Sequence, residues 1–510
     1  MKKTLLPFFI SCIALFGFSQ ENNNIYEKFF PDPISYIPFP IANTDLNYYS
    51  NYTTVVDFIN DLALQHPDFI TAGNIGQSER GFNVPFIEFA KKNATSDADK
   101  IRVCFLASVH GNEPISTDGM LYLMYELVNN KKYSNLLDNL IIKIIPIVNV
   151  DGHIDDKRET ANETDLNRNL TKLDVFEAVN VKNTINSFDP HIVLDFHEYK
   201  PTRKKFLKIN RCLTSSYDAM FLYTGNLNVN SNIRKIINEK FILPTKLVLE
   251  QNNRRVTDYV TTSAITDSLD LNIGGNSARS SATNYALQNR ISILMEIRGV
   301  SEKEKAVKRR IETAFIAAIS YLEIAANNLK LIKNTIQKAE QETMDVNTVI
   351  VLESKAESIT FPFVFVNKCT NKLETINFKA NFNIKQVPTV TRKRPGGYVI
   401  VTKSKRVIKI LNASGIVYQN ISSSTMAEVE TFAQLDTQVF EMKSELKKIR
   451  RGAILIDSSQ KMGNLITELL EPEVNNSLVA NKLLKPFKDT NILRIYRINK
   501  EQVLQFQNKK

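Results

Sequence analysis

Four short segments of this 510-residue chain carry side chains that bind metal ions, move protons or bind anions. They contain two of the chain's five histidines, two glutamates and three arginines, of which Arg158 and Arg168 are well separated from the third. Imidazole and carboxylate ligands are typical of catalytic zinc sites, in which the metal ion activates water. The set therefore indicates metal-assisted hydrolysis. The segments are His110-Gly111-Asn112-Glu113, Arg158 with Asp165-Leu166-Asn167-Arg168-Asn169, Asp195-Phe196-His197, and Met295-Glu296-Ile297-Arg298.

His110 and Glu113 are three residues apart, a spacing that lets both side chains converge where a strand turns into a helix. This pattern alone is weak, and a zinc site needs a further protein ligand. The remaining histidines are the candidates for it: His66, His153, His191 and His197. His197 is favoured because it ends a buried apolar run, and ligands gather at the carboxyl edge of an open α/β sheet. His153 is the second choice, and His191 is predicted to be structural.

Glu296 ends another apolar run, where a buried carboxylate is costly unless it is paired or faces a cleft. It is either a general base for the attacking water or the salt-bridge partner of Arg298. Arg158 and Arg168 are either surface ion-pair partners or anion-binding groups. In the second case they would stabilise an oxyanion and hold a substrate carboxylate.

The elements around these residues alternate between strands and helices. Buried strands are predicted at 101–107, 140–150, 192–196 and 291–297, and helices at 47–65, 114–129 and 301–344. This alternation predicts an α/β fold with a mixed, largely parallel central sheet flanked by helices. After residue 345 the pattern changes. Short β-like runs at 348–378, mixed structure at 453–470 and a strand at 492–498 predict a smaller α/β or β-rich domain.

Composition limits the class of protein. Hydrophobic residues make up 43% and charged residues 23% of the chain, as in folded globular proteins. The net charge of +11 is modest for this length, and no nucleic-acid motif accompanies the basic clusters at 392–394 and 447–451. We read these clusters as solvated faces and expect no nucleic-acid partner.

Residues 1–20 have the pattern of a secretory signal peptide. Lys2 and Lys3 precede an apolar run from Leu5 to Phe18, and small residues near Gln20 suit cleavage. The run is short for a membrane span, and no later run predicts one. We therefore expect a secreted protein, periplasmic or extracellular, with no transmembrane segment in the mature chain. Loss of Cys12 with the leader leaves three cysteines, which allow at most one disulfide.

The four segments in this order resemble the zinc carboxypeptidases of the pancreatic carboxypeptidase A/B type, in particular a secreted bacterial subgroup. The resemblance covers about residues 46–330 and implies that His110, Glu113 and His197 bind one zinc ion per chain. The turns Ser78-Glu79-Arg80-Gly81 and Asn149-Val150-Asp151-Gly152 also resemble family turns, although Val150 stands where proline is usual.

The same resemblance implies roles for the remaining segments. Arg158 matches the arginine that polarises the scissile carbonyl, and Glu296 matches the catalytic glutamate. Asn167 and Arg168 match the pair that binds the C-terminal carboxylate of a peptide substrate. The substrate-covering tyrosine of the family has no clear match, and Tyr285 is preferred over Tyr259.

These observations predict a signal peptide at 1–20, an N-terminal extension at 21–45, a catalytic domain at 46–335 and an accessory domain at 345–510. The predicted function is that of a secreted zinc metallocarboxypeptidase acting on peptides with a free C-terminus. One alternative is a carboxypeptidase or amidase acting on cell-wall peptides with the same zinc site. The other is a non-catalytic binding protein.

Overall fold

The computed structural model describes residues 24–34, 37–39, 49–92, 95–262 and 269–508. The predicted signal peptide lies outside these residues, so its prediction stays untested. Part of the predicted N-terminal extension also lies outside them.

The described residues form fifteen α-helices and nineteen strands, together with short 3₁₀ turns and a π-helical segment, Ile237–Ile242. The helices are α1 (Ile25–Phe29), α2 (Tyr52–Gln65), α3 (Ile115–Asn129), α4 (Lys131–Ser134), α5 (Val150–Asp155), α6 (Phe176–Phe188), α7 (Lys204–Ile209), α8 (Ser231–Ile236), α9 (Leu243–Gln251), α10 (Ser281–Asn284), α11 (Val307–Asn327), α12 (Leu329–Met344), α13 (Lys405–Ala413), α14 (Gly463–Leu470) and α15 (Lys500–Gln507). The strands are β1 (Ile70–Gln77), β2 (Asn83–Phe89), β3 (Ile101–Ala107), β4 (Leu140–Ile145), β5 (Ile192–Tyr199), β6 (Leu213–Ser215), β7 (Ala219–Leu222), β8 (Val256–Asp258), β9 (Val260–Thr262), β10 (Leu271–Ile273), β11 (Ile291–Arg298), β12 (Val349–Asn367), β13 (Lys372–Lys393), β14 (Gly397–Ile400), β15 (Gln419–Asn420), β16 (Thr425–Asp436), β17 (Val439–Ile449), β18 (Ile454–Asp457) and β19 (Ile492–Ile498).

An eight-stranded sheet with the order β1-β2-β4-β3-β5-β11-β7-β8 forms the centre of the molecule. Its four middle strands, β4, β3, β5 and β11, are parallel, and antiparallel pairs flank them. All eight residues of β5 and of β11 are buried, as expected for parallel strands covered on both faces. The predicted α/β class with a mixed, largely parallel sheet is confirmed.

The predicted helix over 301–344 is two helices. α11 and α12 meet at Asn328 with a bend of 84°. α11 buries a long apolar face that includes Ile311, Phe315 and Leu322, and it contacts α3. Among the described residues, no single helix has the length and hydrophobicity to cross a membrane, and α11 and α12 pass that test only when the bent pair is taken together.

The short β runs predicted at 348–378 are instead parts of two long strands. β12 and β13 form an antiparallel hairpin, and exposed polar residues occur along both of its arms. Register shifts between Val351 and Glu357 interrupt the regular alternation of side chains. The alternation of apolar and polar residues therefore predicted several short strands, although the backbone of each arm is one continuous strand.

This hairpin pairs with strands from the first part of the chain. The sheet order is β6-β12-β13-β10-β9, so segments before residue 274 and after residue 348 share hydrogen bonds. A third sheet, β15-β18-β14-β19-β16-β17, contains only strands after residue 396. The domain boundaries at 335 and 345 stay predictions.

The first basic cluster is not a solvated face. Arg392 forms a bidentate ion pair with Glu473, at 2.6 and 2.7 Å, and the buried Arg394 donates to the carbonyl oxygen of Thr343 at 2.7 Å. These arginines therefore stabilise the packing of the C-terminal part.

Cys212 and Cys369 form a disulfide that connects the segment before β6 to the turn of the hairpin, across a sequence separation of 157 residues. We expect the double variant Cys212→Ala/Cys369→Ala to lose about 2–5 kcal/mol of unfolding free energy, because closing so long a loop restricts the unfolded chain. Denaturant unfolding with and without reductant would measure this. The control is Cys104→Ala, which keeps the disulfide and should remain sensitive to reductant. Equal stability of the double variant and the oxidised wild type would contradict the prediction.

Candidate active site

The candidate site lies at the carboxyl edge of three neighbouring parallel strands, β3, β5 and β11. His110 and Glu113 occupy the turn between β3 and α3, and His197 lies in β5. Glu296 in β11 is the register partner of His197. The sheet therefore brings together residues that are up to 186 positions apart in the sequence.

His110, Glu113 and His197 form a buried group whose ligand atoms all lie within 4.8 Å of one another. The two Nδ1 atoms are 3.0 Å apart, and the two carboxylate oxygens of Glu113 each lie 2.8 Å from one of them. Ligands of a tetrahedral zinc ion, bound at about 2.0–2.1 Å, are about 3.3 Å apart. The group is therefore close to the dimensions of a zinc site.

The turn that carries His110 depends on a close approach between two glycines. A Cβ atom on Gly111 would lie 1.9 Å from the backbone carbon of Gly152. Any larger residue would push this turn away from α5, so glycine is required here. The turn that carries His110 is thus packed against the family-like turn Asn149-Val150-Asp151-Gly152 beside the site.

Each metal-binding imidazole has a carboxylate beside its other nitrogen. His110 Nε2 lies 3.1 Å from Asp165 Oδ1, and His197 Nε2 lies 3.0 Å from Asp195 Oδ2. Such carboxylates fix the ring orientation of a histidine ligand and raise its basicity. No role for Asp165 or Asp195 was predicted from the sequence. In β5 the order Asp-Phe-His puts the side chains of Asp195 and His197 on one face of the strand. This order was the sequence signal for the role of Asp195.

Asp165 also holds Arg158. Arg158 Nε and Nη2 donate to Asp165 Oδ2 at 3.2 and 2.9 Å, and Arg158 Nη1 lies 3.4 Å from Glu113 Oε1. Burial opposes ionisation of Asp165, but its hydrogen bond to His110 and the charges of His110 and Arg158 hold its pKa well below its usual range. A guanidinium is thereby fixed next to the metal ligands.

Glu296 is 8% exposed, and its side chain forms no hydrogen bond or ion pair with another described residue. Arg298, its alternative partner, instead lies 3.2 Å from Glu302. Burial, and then the negative charge of Glu113, raise the pKa of Glu296 to about 7. A carboxylate with this pKa can accept and return a proton near neutral pH.

Asn167 and Arg168 lie in a 3₁₀ turn that follows Asp165. Asn167 Oδ1 accepts a hydrogen bond of 3.0 Å from the backbone N–H of Ser281. Arg168 donates to the carbonyl oxygen of Asn167 and has no acidic partner within 4.0 Å among the described residues. Its guanidinium is therefore available to an anionic ligand.

Tyr285 is not in the cleft, which corrects the sequence-based assignment. Its side chain is fully buried, its hydroxyl lacks a hydrogen-bond partner, and the buried Lys182 lies 5.4 Å from its ring centre. Tyr259, the alternative, is half-buried beside the site. Burial and then the charge of Glu296 raise the pKa of Tyr259, so its hydroxyl is within electrostatic reach of that carboxylate.

Two of the other histidines, His153 and His191, are structural. His153 is buried, with Nδ1 3.2 Å from Ser108 Oγ and Nε2 3.1 Å from the carbonyl oxygen of Ser50. His191 Nδ1 accepts a hydrogen bond of 3.0 Å from the backbone N–H of Arg102. Neither belongs to the metal-binding group.

Comparison with known proteins shows which proteins this chain is similar to. The zinc carboxypeptidase family model matches residues 55–203, which include His110, Glu113 and His197. Residues 55–203 of this chain thus match a zinc carboxypeptidase domain. Among the relatives, carboxypeptidase 2 of Trichophyton rubrum is 27% identical over 79% of this chain and 78% of its own length. Human carboxypeptidase D is 29% identical over 23% of this chain and 8% of its own length. Carboxypeptidase A of Helicoverpa armigera is a solved structure with 18% identity and a TM-score of 0.43, covering 57% of this chain and 78% of its own.

The predicted enzyme class, a metallocarboxypeptidase hydrolase, is confirmed by the family match and the curated relatives. The alignment with the fungal relative covers so much of the chain that it extends beyond residue 345. Similarity to that carboxypeptidase is therefore not confined to the segment that carries the metal ligands.

Ser281 connects the metal-binding group to the turn that carries Asn167 and Arg168. Its hydroxyl donates to Asp195 Oδ2 at 2.5 Å while its backbone N–H binds Asn167. We expect Ser281→Ala to lower zinc affinity about 10-fold, because Asp195 would then be free to turn away from His197. Competition with a chromophoric chelator measures this. Ser292→Ala is the matched control, since the buried Ser292 hydroxyl donates only to the carbonyl oxygen of Ser281. Unchanged affinity in Ser281→Ala would refute the link.

Proposed function

We propose that this protein is a secreted, zinc-dependent carboxypeptidase that hydrolyses the C-terminal peptide bond of peptides. The observation that carries the proposal is the convergence of His110, Glu113 and His197 beside Glu296, at one edge of the sheet. Two imidazoles and one carboxylate are a ligand set that catalytic zinc uses in peptidases. We propose one zinc ion per chain.

A zinc ion held by this triad would lower the pKa of water and polarise a carbonyl group. Glu296 would accept the proton of the attacking water and deliver it to the departing amine. Arg158, held by Asp165, would donate hydrogen bonds to the oxygen of the scissile carbonyl as negative charge develops there. Because Asp165 fixes the guanidinium in advance, this stabilisation would require little rearrangement during the reaction.

Asn167 and Arg168 would select a free C-terminal carboxylate. An arginine binds a carboxylate in a bidentate manner, which gives both affinity and orientation. This turn directly follows Asp165, which lies 3.1 Å from His110, so a carboxylate bound there would place the last peptide bond of the substrate near the metal-binding group. Such binding would lead to removal of single residues from the chain end. Tyr259 is the residue that we propose to contact the substrate from the opposite side.

Export is part of the proposal. The signal-like leader at 1–20 and the disulfide Cys212–Cys369 both support it, because disulfides form and persist in oxidising compartments. We therefore propose a periplasmic or extracellular location.

Metal analysis of the purified protein, combined with mass spectrometry of a mixed peptide library, tests the proposal. About one zinc per chain and loss of single C-terminal residues, abolished by chelation and restored by zinc, are the expected results. Bound zinc without trimming would instead favour cell-wall peptides or amides as substrates. Absence of zinc would favour a binding protein.

A further inference from the structure

Strand β17 leaves one edge of the third sheet open. It is 11 residues long, ends the order β15-β18-β14-β19-β16-β17, and pairs with no described strand other than β16. The backbone groups on its other side therefore have no ladder partner among the described strands. Pairing with β16 is regular from Thr425 to Gln434, because its one register shift lies beyond Gln434 at the hairpin turn. Another extended strand can therefore add to this regular stretch of β17.

One face of β17 carries charges that alternate in sign. Successive side chains of a strand point to opposite faces, so residues two apart share a face. The four residues of this face are Glu441, Lys443, Glu445 and Lys447, and their cross-strand neighbours in β16 are the uncharged Ala433, Thr431, Val429 and Ala427. Glu445 and Lys447 form an ion pair of 2.8 Å along the strand. The chain itself therefore offers this row of charges no oppositely charged cross-strand neighbour.

The other face of the same stretch carries exposed apolar side chains. Met442 is 39% exposed and Leu446 is 64% exposed, and they lie two positions before and two positions after Ser444. Their cross-strand neighbours in β16 are Phe432 and Glu428. A strand added at the open edge would cover both apolar side chains from the side that β16 leaves free.

We propose that β17 pairs with β17 of a second copy of this chain, in an antiparallel arrangement whose two-fold axis passes through Ser444. The two third sheets then form one continuous sheet. In a two-fold contact each pairing occurs twice. Lys443 of each copy lies opposite Glu445 of the other, and Glu441 of each copy lies opposite Lys447 of the other. The alternating row of charges therefore forms four ion pairs with itself.

The charges select this register. A two-fold axis moved by one residue, to Lys443 or Glu445, would place like charges opposite each other, which is destabilising. An axis moved by two residues, to Met442 or Leu446, would form two ion pairs instead of four. Only the axis at Ser444 also places Met442 opposite Leu446 on the other face. Charged side chains on an edge strand prevent pairing with most other strands, so the same row excludes other partners while it admits a second copy.

Sedimentation velocity of the purified protein over a concentration series tests the pairing. We expect a monomer–dimer equilibrium whose dissociation constant rises with salt, because the paired charges are accessible to solvent. Lys443→Glu turns two attractive pairs into repulsive ones and should raise the dissociation constant about 10-fold or more. The double variant Lys443→Glu/Glu445→Lys exchanges the two charges and should return it to within about 3-fold of the wild type. Lys379→Glu, which changes an exposed lysine of β13, is the control and should have no effect.

Oxidative cross-linking tests the position of the axis. Opposite residues of antiparallel strands have Cα atoms about 4.5–5.5 Å apart, a separation that a disulfide can bridge. Ser444→Cys should therefore form a disulfide-linked dimer, whereas Thr375→Cys, an exposed position of β13, should stay monomeric on denaturing gels. The native cysteines do not compete, because Cys104 is buried and the other two that the structure describes are bonded to each other.

A protein that stays monomeric at every concentration would overturn the inference. A dimer that Lys443→Glu leaves intact, or that the charge exchange fails to restore, would show a different interface and overturn it as well. Oligomers larger than a dimer would also contradict it, since two-fold pairing uses the open edge of both copies. All of these outcomes are independent of peptide hydrolysis, so the proposed function is tested separately.

Discussion

Glu296→Gln should retain zinc and lose almost all hydrolysis. The amide keeps the shape of the side chain but cannot accept a proton from water, and general-base catalysis contributes about 10²–10⁴-fold to rate. Glu296 lies in register with His197 but is not a member of the metal-binding group, so its replacement should leave the metal ligands in place. Measurement of zinc content and kcat on the same preparation checks both parts of this prediction.

His110→Ala is the contrasting variant, because it removes a proposed ligand and should lose zinc and activity together. Thermal unfolding of both variants establishes that they are folded. Turnover of Glu296→Gln within a factor of a few of the wild type would exclude Glu296 as the base.

Arg168→Met should abolish the preference for a free C-terminus. We expect KM for an ordinary peptide to rise about 100-fold, which corresponds to the loss of about 2–3 kcal/mol expected for a charge-assisted hydrogen bond. The amidated form of the same peptide, a poor substrate already, should be affected much less. The ratio of kcat/KM for the free and amidated peptides is therefore the quantity to measure.

Arg168→Lys provides the graded control. Lysine keeps the charge but lacks the planar fork, so it should recover part of the discrimination. If the wild type cleaves free and amidated peptides equally well, the assignment of Asn167 and Arg168 to the C-terminal carboxylate fails, whatever the variant does.

The sequence predicted the metal-binding group because its members are tied to strand ends. His110 follows a strand, His197 and Glu296 end two others, and the carboxyl ends of parallel strands meet at one edge of a sheet. No knowledge of side-chain packing was needed for this step. The same logic separated His197 from His191, which lies at the start of the same strand.

The tyrosine was misassigned because distance along the chain does not determine the face that a side chain occupies. Tyr285 is nearer to Glu296 in sequence, yet α10 and the turn after it direct the ring into the core. Tyr259 precedes β9, and burial and then the charge of Glu296 raise the pKa of its hydroxyl. The roles of Asp165 and Asp195 were not predicted for a related reason. Carboxylates that lie beside histidine rings can be recognised only once the orientation of the rings is known.

The hairpin β12–β13 was missed because both of its arms carry exposed polar residues and its register shifts. Binary patterning predicts strands that bury one face against a core. Binary patterning gives only a weak signal for this hairpin, because its partner strands, β6 and β10, lie more than a hundred residues earlier in the chain.

The sheet that this hairpin completes has a practical meaning for anyone who shortens the protein for crystallisation or display. β9 begins one residue after Tyr259, and it reaches the rest of its sheet only through β10 and β13. A truncation after α12 would remove the whole hairpin β12–β13. β10 would lose its pairing with β13, and β6 would lose its pairing with β12. The smallest fragment that keeps β6, β9 and β10 in their sheet is therefore longer than the segment that contains the metal ligands, and the C-terminal hairpin supports the strand next to Tyr259.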